Sequence, residues 1–275
     1  MPQPPHPEVH LGGPLMSLSS LPTAAAEYDW GIVWDNRSML LNGLVTALEV
    51  SAVALIISMV FGMALALIRL GRAPFSWIAA IYINVFRGVP ALVSVIWVYF
   101  GLALVLDISF SVFQAGVIAL SLLYSAFLAE IFRSALNAIP KGQKEAGLAL
   151  GMKPVRIFFS ITLPQATKIA LPNVGNMFIG MVKDTSTFTV IGLLEVVRVT
   201  QNLVAETFQP FVLYTAAAAL YVFVAFVLDF LFRLAERTLD TPPNGALSRG
   251  LRGRKQRRIQ ALIDAQPSVR PSTAT

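Results

Sequence analysis

Few residues in this chain have the means to do chemistry, and most of those few sit where charge is costly. Lys183 and Asp184 stand side by side in an otherwise apolar stretch, followed by Thr185, Ser186, Thr187 and Thr189 and preceded by Asn173, Gly175, Asn176 and Gly180. Glu49 lies alone in a second apolar stretch, while Glu130 with Arg133 and Asp229 with Arg233 close two more. An ionised group in an apolar run marks either a buried pair or a polar pathway. At i, i+3 and i, i+4 the two acid–base pairs are explained by local bridges. For Lys183 two readings stand: a pair with Asp184 or with another span's carboxylate, formed to bury both charges, or a substrate path or gate. Glu49 keeps three, as partner of Lys183, as a selector of charged substrates, or as an interfacial residue with no special role.

The rest of the reactive inventory is defined by what it excludes. Without cysteine there is no disulfide scaffold and no thiolate metal or redox site. His6 and His10 are four apart, but Pro4, Pro5, Pro7 and the pair Gly12-Gly13 oppose the helix that would bring their rings together, so a disordered tail is expected and no metal. These being the last histidines, a Ser-His-Asp hydrolase and a His–zinc enzyme are excluded. No Gly-Lys-Ser or Gly-Lys-Thr, Gly-x-Ser-x-Gly or His-Glu-x-x-His occurs, so the chain has no P-loop with which to hydrolyse ATP itself.

The elements that hold these residues follow from composition. Of 275 residues, 56% are hydrophobic and 13% charged, about half the charge of a soluble domain. Such a chain needs an apolar solvent, and a bilayer supplies it. The apolar runs predict an all-α integral membrane protein of about five spans, at 44–68, 90–106, 112–131, 171–194 and 211–232. Phe75 to Phe86 reads as an interfacial helix or lead-in, since Asn84 and Arg87 close it. Residues 1–41 read as a flexible external segment without the basic region of a cleavable signal, 42–239 as the membrane domain and 240–275 as a disordered tail.

Charge sets the orientation. With the amino terminus outside, Arg37 and Arg198 are the only basic residues left on the outer face, and apart from Lys183 within a span the rest fall inside. The net charge of +6 owes much to Arg249, Arg252, Arg254, Lys255, Arg257 and Arg258 after the last span. That placement fits a cytoplasmic tail touching anionic headgroups and not a nucleic-acid binder. Trp77, Tyr99, Tyr124 and Tyr214 fall near span ends, where aromatic anchors are the default, and Trp97 nearer a middle.

Between the third and fourth spans the stretch from Phe132 to Ile169 is long enough to require a role. It reads as two short helices: Pro140 at a first helical position, Lys141 to Leu150 helical, Gly151 a left-handed cap, and Pro154 opening a second run through Ser160. Ala146, Leu148, Ala149 and Leu150 give the first helix an apolar side. Outside the membrane such a side wants a protein groove or the lipid surface.

Glu145-Ala146-Gly147, Leu150-Gly151 and Ile161-Thr162-Leu163-Pro164 resemble, in spacing as well as type, the EAA loop of binding-protein-dependent ABC transporter permeases. Phe86-Arg87-Gly88-Val89-Pro90 resembles the Phe-Arg-Gly-Thr-Pro signature of the polar amino acid branch, and Ala129-Glu130-Ile131-Phe132-Arg133, Gly142-Gln143 and Lys183-Asp184-Thr185-Ser186 resemble further segments of it. The likeness runs in order from about Asn42 to Leu239. Gly147 departs from the family's second alanine, at roughly 1 kcal/mol of helix propensity and with a loosened loop expected; Val89 and Thr187 also differ from the family pattern.

The resemblance implies a type I importer permease in a bacterial inner membrane. Its loop would dock into a separate ATPase subunit, present in two copies, with Gly142, Glu145, Ala146, Leu150, Gly151 and Pro164 forming the docking element. It also implies Lys183, Asp184, Thr185, Ser186 and Glu49 along the path or gate, and Arg87, Gly88 and Pro90 as a signature at the second span. ATP and magnesium would belong to the partner, with no cofactor on this chain. A second permease copy or relative, an extracytoplasmic binding protein and a polar amino acid, glutamate or aspartate among the candidates, complete the expected assembly. The alternatives are an ion-coupled carrier or channel, disfavoured by the lack of paired halves, and an intramembrane enzyme using Asp184 and Asp229, disfavoured by their separation along two spans.

Overall fold

The computed structural model describes residues 28–240; His6, His10 and the basic residues beyond 240 lie outside the described residues. Among the described residues every regular element is helical: α1 (Gly31–Asp35), α2 (Arg37–Leu70), α3 (Phe75–Gly88), α4 (Ala91–Leu106), α5 (Val112–Asn137), α6 (Lys141–Ala149), α7 (Pro154–Ile191), α8 (Val196–Thr207) and α9 (Pro210–Asp240). Helices α2, α5 and α9 are each long and apolar enough to cross a bilayer. The number reaches five if α3 with α4, bent by 108°, and α7 with α8, bent by 49°, are each taken as one span.

Helix α5 is the centre of the molecule. A capping box opens it, Gln114 N donating to Ser111 Oγ (3.2 Å) and Ser111 N to Gln114 Oε1 (2.9 Å). Its apolar side chains share one core with Val50 and Ala54 of α2, Val95 and Val98 of α4, and Met181 and Phe188 of α7. A second core nearer its end joins Leu128, Phe132 and Ala135 to Ala66, Ala166 and Ala170. The face α2 buries is rich in small residues, Gly43, Ala47, Ser51, Ala54, Ser58, Gly62 and Ala66, at helical spacing. Lipid tails are as apolar as leucine, so helices in a membrane gain by close backbone approach, which small residues allow.

Several expectations change. Within 1–41, expected as a flexible segment, the described residues are helical from Gly31 on. Arg37 donates to the Trp34 carbonyl (2.7 Å) and stacks over its ring, and Asn36 Nδ2 donates to Ile32 O (2.9 Å), which fixes the corner between α1 and α2. Of the two readings of the stretch from Phe75, interfacial helix or lead-in, the packing favours the lead-in: Tyr82 Oη donates to Leu122 O (2.9 Å) halfway along α5 and Ile83 is buried. It forms a bent pair with α4. Pro90 has no N–H to continue α3 and holds Val89 extended (φ −93°, ψ 128°), so the helix ends at Gly88 and restarts at Ala91.

The second loop helix also differs. It does not stop at Ser160 but continues through a widened π turn at Phe158–Thr162 into Leu163–Asp184. Pro164 follows that turn directly, and a π register is a means of absorbing a proline's missing N–H and bulky ring without breaking the helix. Pro140 is the residue before α6 and not its first, at ψ 131°. The stretch after the fourth expected span contains α8, which packs its Val196, Val199 and Leu203 inward.

Candidate functional site

Helix α6 stands off the helical body and is turned sharply at its end. Gly151 takes φ +73°, open to glycine at no steric cost. Gly151 N donates to Leu148 O (2.9 Å) and Met152 N to Gly147 O (3.0 Å), the paired bonds of a Schellman cap, so the carbonyls of the last turn are satisfied and the corner is fixed. On either side of it Leu150 is 81% exposed and Val155 67%, while Gly142, Glu145 and Ala146 are also exposed. The opposite side of α6 is fastened to α7. Gln165 Nε2 donates to Gln143 Oε1 (2.6 Å) and to Ile161 O (2.8 Å). Gly147 is buried there, and a Cβ on it would lie 2.9 Å from Ile157 Cγ1. The glycine expected to loosen α6 is therefore what lets α6 seat closely on α7.

Lys183 and Asp184 part company. Asp184 accepts from Tyr124 Oη of α5 (2.9 Å), which makes Tyr124 a buried partner and not the interfacial anchor expected. Lys183 is exposed and pairs with no acid among the described residues, neither Asp184 nor Glu49. It lines a groove of about 450 Å3 between α7 and α9 together with Tyr221 and the Asp229–Arg233 pair, whose Nε and Oδ2 are 2.7 Å apart. Asp184 and Asp229 are thus engaged with different partners on different elements. Glu49 is exposed on α2 and forms no ion pair among the described residues.

The hydroxyls that follow have a local use. Thr185 Oγ1 donates to Val182 O (2.7 Å), Ser186 Oγ to Lys183 O (2.6 Å) and Thr187 Oγ1 to Asp184 O (2.8 Å). The α-helix tightens to 3₁₀ here, Thr185–Ile191, and these three hydroxyls meet carbonyls that the change of register disturbs. A fourth, Thr189 Oγ1, bridges to Gln201 Oε1 of α8 (2.8 Å).

Two arrangements have little or no signal in the sequence. Arg87 at the end of α3, Phe127, Glu130 and Arg133 of α5 and Asn173 of α7 line one cleft of about 450 Å3. Arg133 and Glu130 form a bidentate bridge (2.7 Å), and the Arg87 guanidinium lies 5.7 Å over the Phe127 ring. The motif residues were visible one by one, but their meeting depends on the bend at Gly88. The second is Glu195, fully buried, which caps α8 by accepting from Val197 N (2.9 Å) and Arg198 N (2.8 Å) and also accepts from Tyr221 Oη of α9 (2.7 Å). Its one visible sign was an acid between Leu194 and Val196.

A helical body with two bent helix pairs, polar groups on its span-length helices and one rigidly turned helix outside it fits a membrane transport component. Residues 30–241 match the binding-protein-dependent transport system inner membrane components, and the chain belongs to that family. It is 34% identical to the glutamine transport system permease of Escherichia coli K12 over 78% of this chain and 98% of that one. It is 37% identical to the arginine transport system permease of Bacillus subtilis over 74% and 93%. Among solved structures, an amino acid ABC transporter crystallised with histidines superposes with a TM-score of 0.71 at 32% identity, covering 76% of this chain and 98% of the other. An inward-facing methionine ABC transporter, 20% identical with a TM-score of 0.66, shares the fold.

Proposed function

We propose that this chain is the membrane-spanning permease of a bacterial importer for polar amino acids, driven by ATP hydrolysis in a separate subunit that grips α6 and the Gly151 corner from the cytosol. The observation that carries the reading is the pairing of a capped, apolar-edged helix outside the membrane body with a firm tie from that helix to α7. A push on Leu150 and its neighbours has no slack to take up at Gly151. It passes through the Gln143–Gln165 bond and the Gly147–Ile157 contact into α7, the helix that carries Lys183 and Asp184. Rigid-body motion of packed helices is how such a push reaches a path several turns away.

In this reading Glu145 is the polar anchor of the docking helix, Ala146 and Leu150 its packing surface, and Gly142 and Pro164 mark where the docking element begins and ends. Arg87, Gly88 and Pro90 form the joint that brings α3 to the charged cleft, while Lys183 faces the path. ATP and magnesium bind to the two ATPase copies. A second permease, identical or related, closes the path, and an extracytoplasmic binding protein delivers substrate to the side holding the amino terminus. The carboxyl terminus is then cytoplasmic. Relatives named for glutamine, arginine and cystine support polar amino acids as a class and do not single out glutamate or aspartate.

Uptake in a strain lacking the chain, restored by the wild type and competed by acidic, basic and amide amino acids, tests both parts. Restored uptake should need a co-expressed ATPase and fall to background in Gly151→Asp, which strains a left-handed corner without touching the spans. Normal uptake by that variant, or uptake driven by an ion gradient with no ATPase, overturns the reading.

A further inference from the structure

Beneath α6, between the final turns of α2 and α5 and the start of α7, is a cavity of about 340 Å3. Leu67 and Leu70 of α2 and Ile157 and Phe158 of α7 give it apolar walls, and Lys141 and Lys144 line it as well. Neither lysine pairs with an acid among the described residues. Both occupy the first turn of α6, where the helix dipole already gathers positive charge, and that turn holds no acidic residue and no side-chain cap. Two cations at the positive end of a helix work against local electrostatics unless an anion completes the arrangement.

The place is as informative as the charge. The cavity lies where the apolar run of α2 gives way to Arg69, Gly71 and Arg72, the sequence mark of a hydrocarbon core meeting a cytoplasmic headgroup layer. Leu67 and Leu70, each 43% exposed, form its side wall. A ligand that satisfies both halves has a negative head and a long apolar tail. Free phosphate would meet the lysines and leave the leucines wet, and a neutral lipid would do the reverse.

We propose that this cavity is a binding site for one anionic phospholipid, its phosphate held between Lys141 and Lys144 and an acyl chain lying along Leu67 and Leu70. Charge complementarity at the two lysines, with an apolar wall at membrane depth, is the signature of headgroup recognition on the cytoplasmic side. Seated there, the lipid ties α6 to the end of α2 and makes the lever sensitive to the composition of the inner leaflet. The site needs α6 to lie at the membrane surface and does not depend on which molecule is carried, so binding is measured apart from uptake.

The test is native mass spectrometry of the full chain, purified in detergent and given equal amounts of phosphatidylglycerol and phosphatidylcholine. Phosphatidylglycerol should be retained in preference. The double variant Lys141→Gln with Lys144→Gln should lose roughly tenfold in phosphatidylglycerol occupancy, as two lysines near a headgroup imply, with unchanged helicity by circular dichroism. Lys153→Gln with Lys168→Gln, which removes two loop-side lysines outside the cavity, should behave as wild type. The proposal is overturned if the two lipids are retained equally, if the first double variant keeps its phosphatidylglycerol, or if inorganic phosphate displaces the lipid.

Discussion

At the scale of single residues, the charges inside the spans divide into those already engaged and those left free. Asp184 and Glu195 are engaged: each is bonded to a tyrosine on another helix, and Glu195 also caps α8. Removing Tyr124's hydroxyl leaves a half-buried carboxylate short of a donor, which costs about 1–3 kcal/mol, so Tyr124→Phe should lower the thermal unfolding midpoint in detergent. Glu195→Ala should do more harm than Glu195→Gln, because glutamine keeps a carbonyl oxygen for the α8 amides while alanine orphans two N–H groups and the Tyr221 hydroxyl. The reverse order in unfolding midpoints would show that negative charge, and not acceptance of hydrogen bonds, is what the site requires. Lys183 is free, and its removal breaks no bond in the described residues. Lys183→Met should therefore leave the unfolding midpoint within about 0.5 kcal/mol of the wild type and reduce uptake. A variant with full uptake would remove Lys183 from the path.

At the scale of elements, Gly147 sets propensity against packing. Alanine is the better helix former by about 1 kcal/mol, but its Cβ would press on Ile157, which is 2% exposed and has little room to yield. Overpacking of this kind costs about 1–3 kcal/mol, so Gly147→Ala should weaken ATP-dependent uptake. Because valine keeps a γ carbon, the decisive rescue is Gly147→Ala with Ile157→Ala, which removes both Ile157 atoms that the new Cβ would meet; if the single Gly147→Ala variant is as active as the wild type, α6 rests on α7 more loosely than the lever reading requires. The same contest explains which elements the sequence reveals. Unbroken apolar runs announce α2, α5 and α9, because nothing in them competes with a straight helix. The joints are harder, since Gly88 to Pro90 announces a break but not its 108° angle, which comes from what α3 and α4 pack against. Helix α8 is hidden by its polar Gln201, Asn202 and Glu206, which give it the look of a polar connection until Glu195 is seen to cap it. Of the candidate site, the Gly151 corner is legible because only glycine takes that φ without strain. The Tyr124–Asp184 bond is not, since it joins residues distant in the chain and depends on how α5 meets α7.

At the scale of the whole molecule, the docking reading and the lipid site both require one orientation in the membrane, with α6 on the side of the basic loops. Lys and Arg crowd the connections on either side of α6, and Arg198 stands almost alone at the other end of the body, so the charge bias predicts α6 inside and the α8–α9 corner outside. The absence of cysteine makes this directly measurable, because a single introduced thiol has no background to compete with it. Leu150, 81% exposed beyond α6, and Phe208, 84% exposed between α8 and α9, are suitable positions on opposite faces. In intact spheroplasts a membrane-impermeant maleimide should label Phe208→Cys and spare Leu150→Cys, and permeabilisation should expose Leu150→Cys. Labelling of Leu150→Cys from outside would place the capped helix where no cytosolic ATPase can reach it and Lys141 and Lys144 in the leaflet poorer in anionic lipid. A single reversal of orientation would thus remove the motor contact and the headgroup contact together, whereas the expected pattern leaves each to stand or fall on its own test.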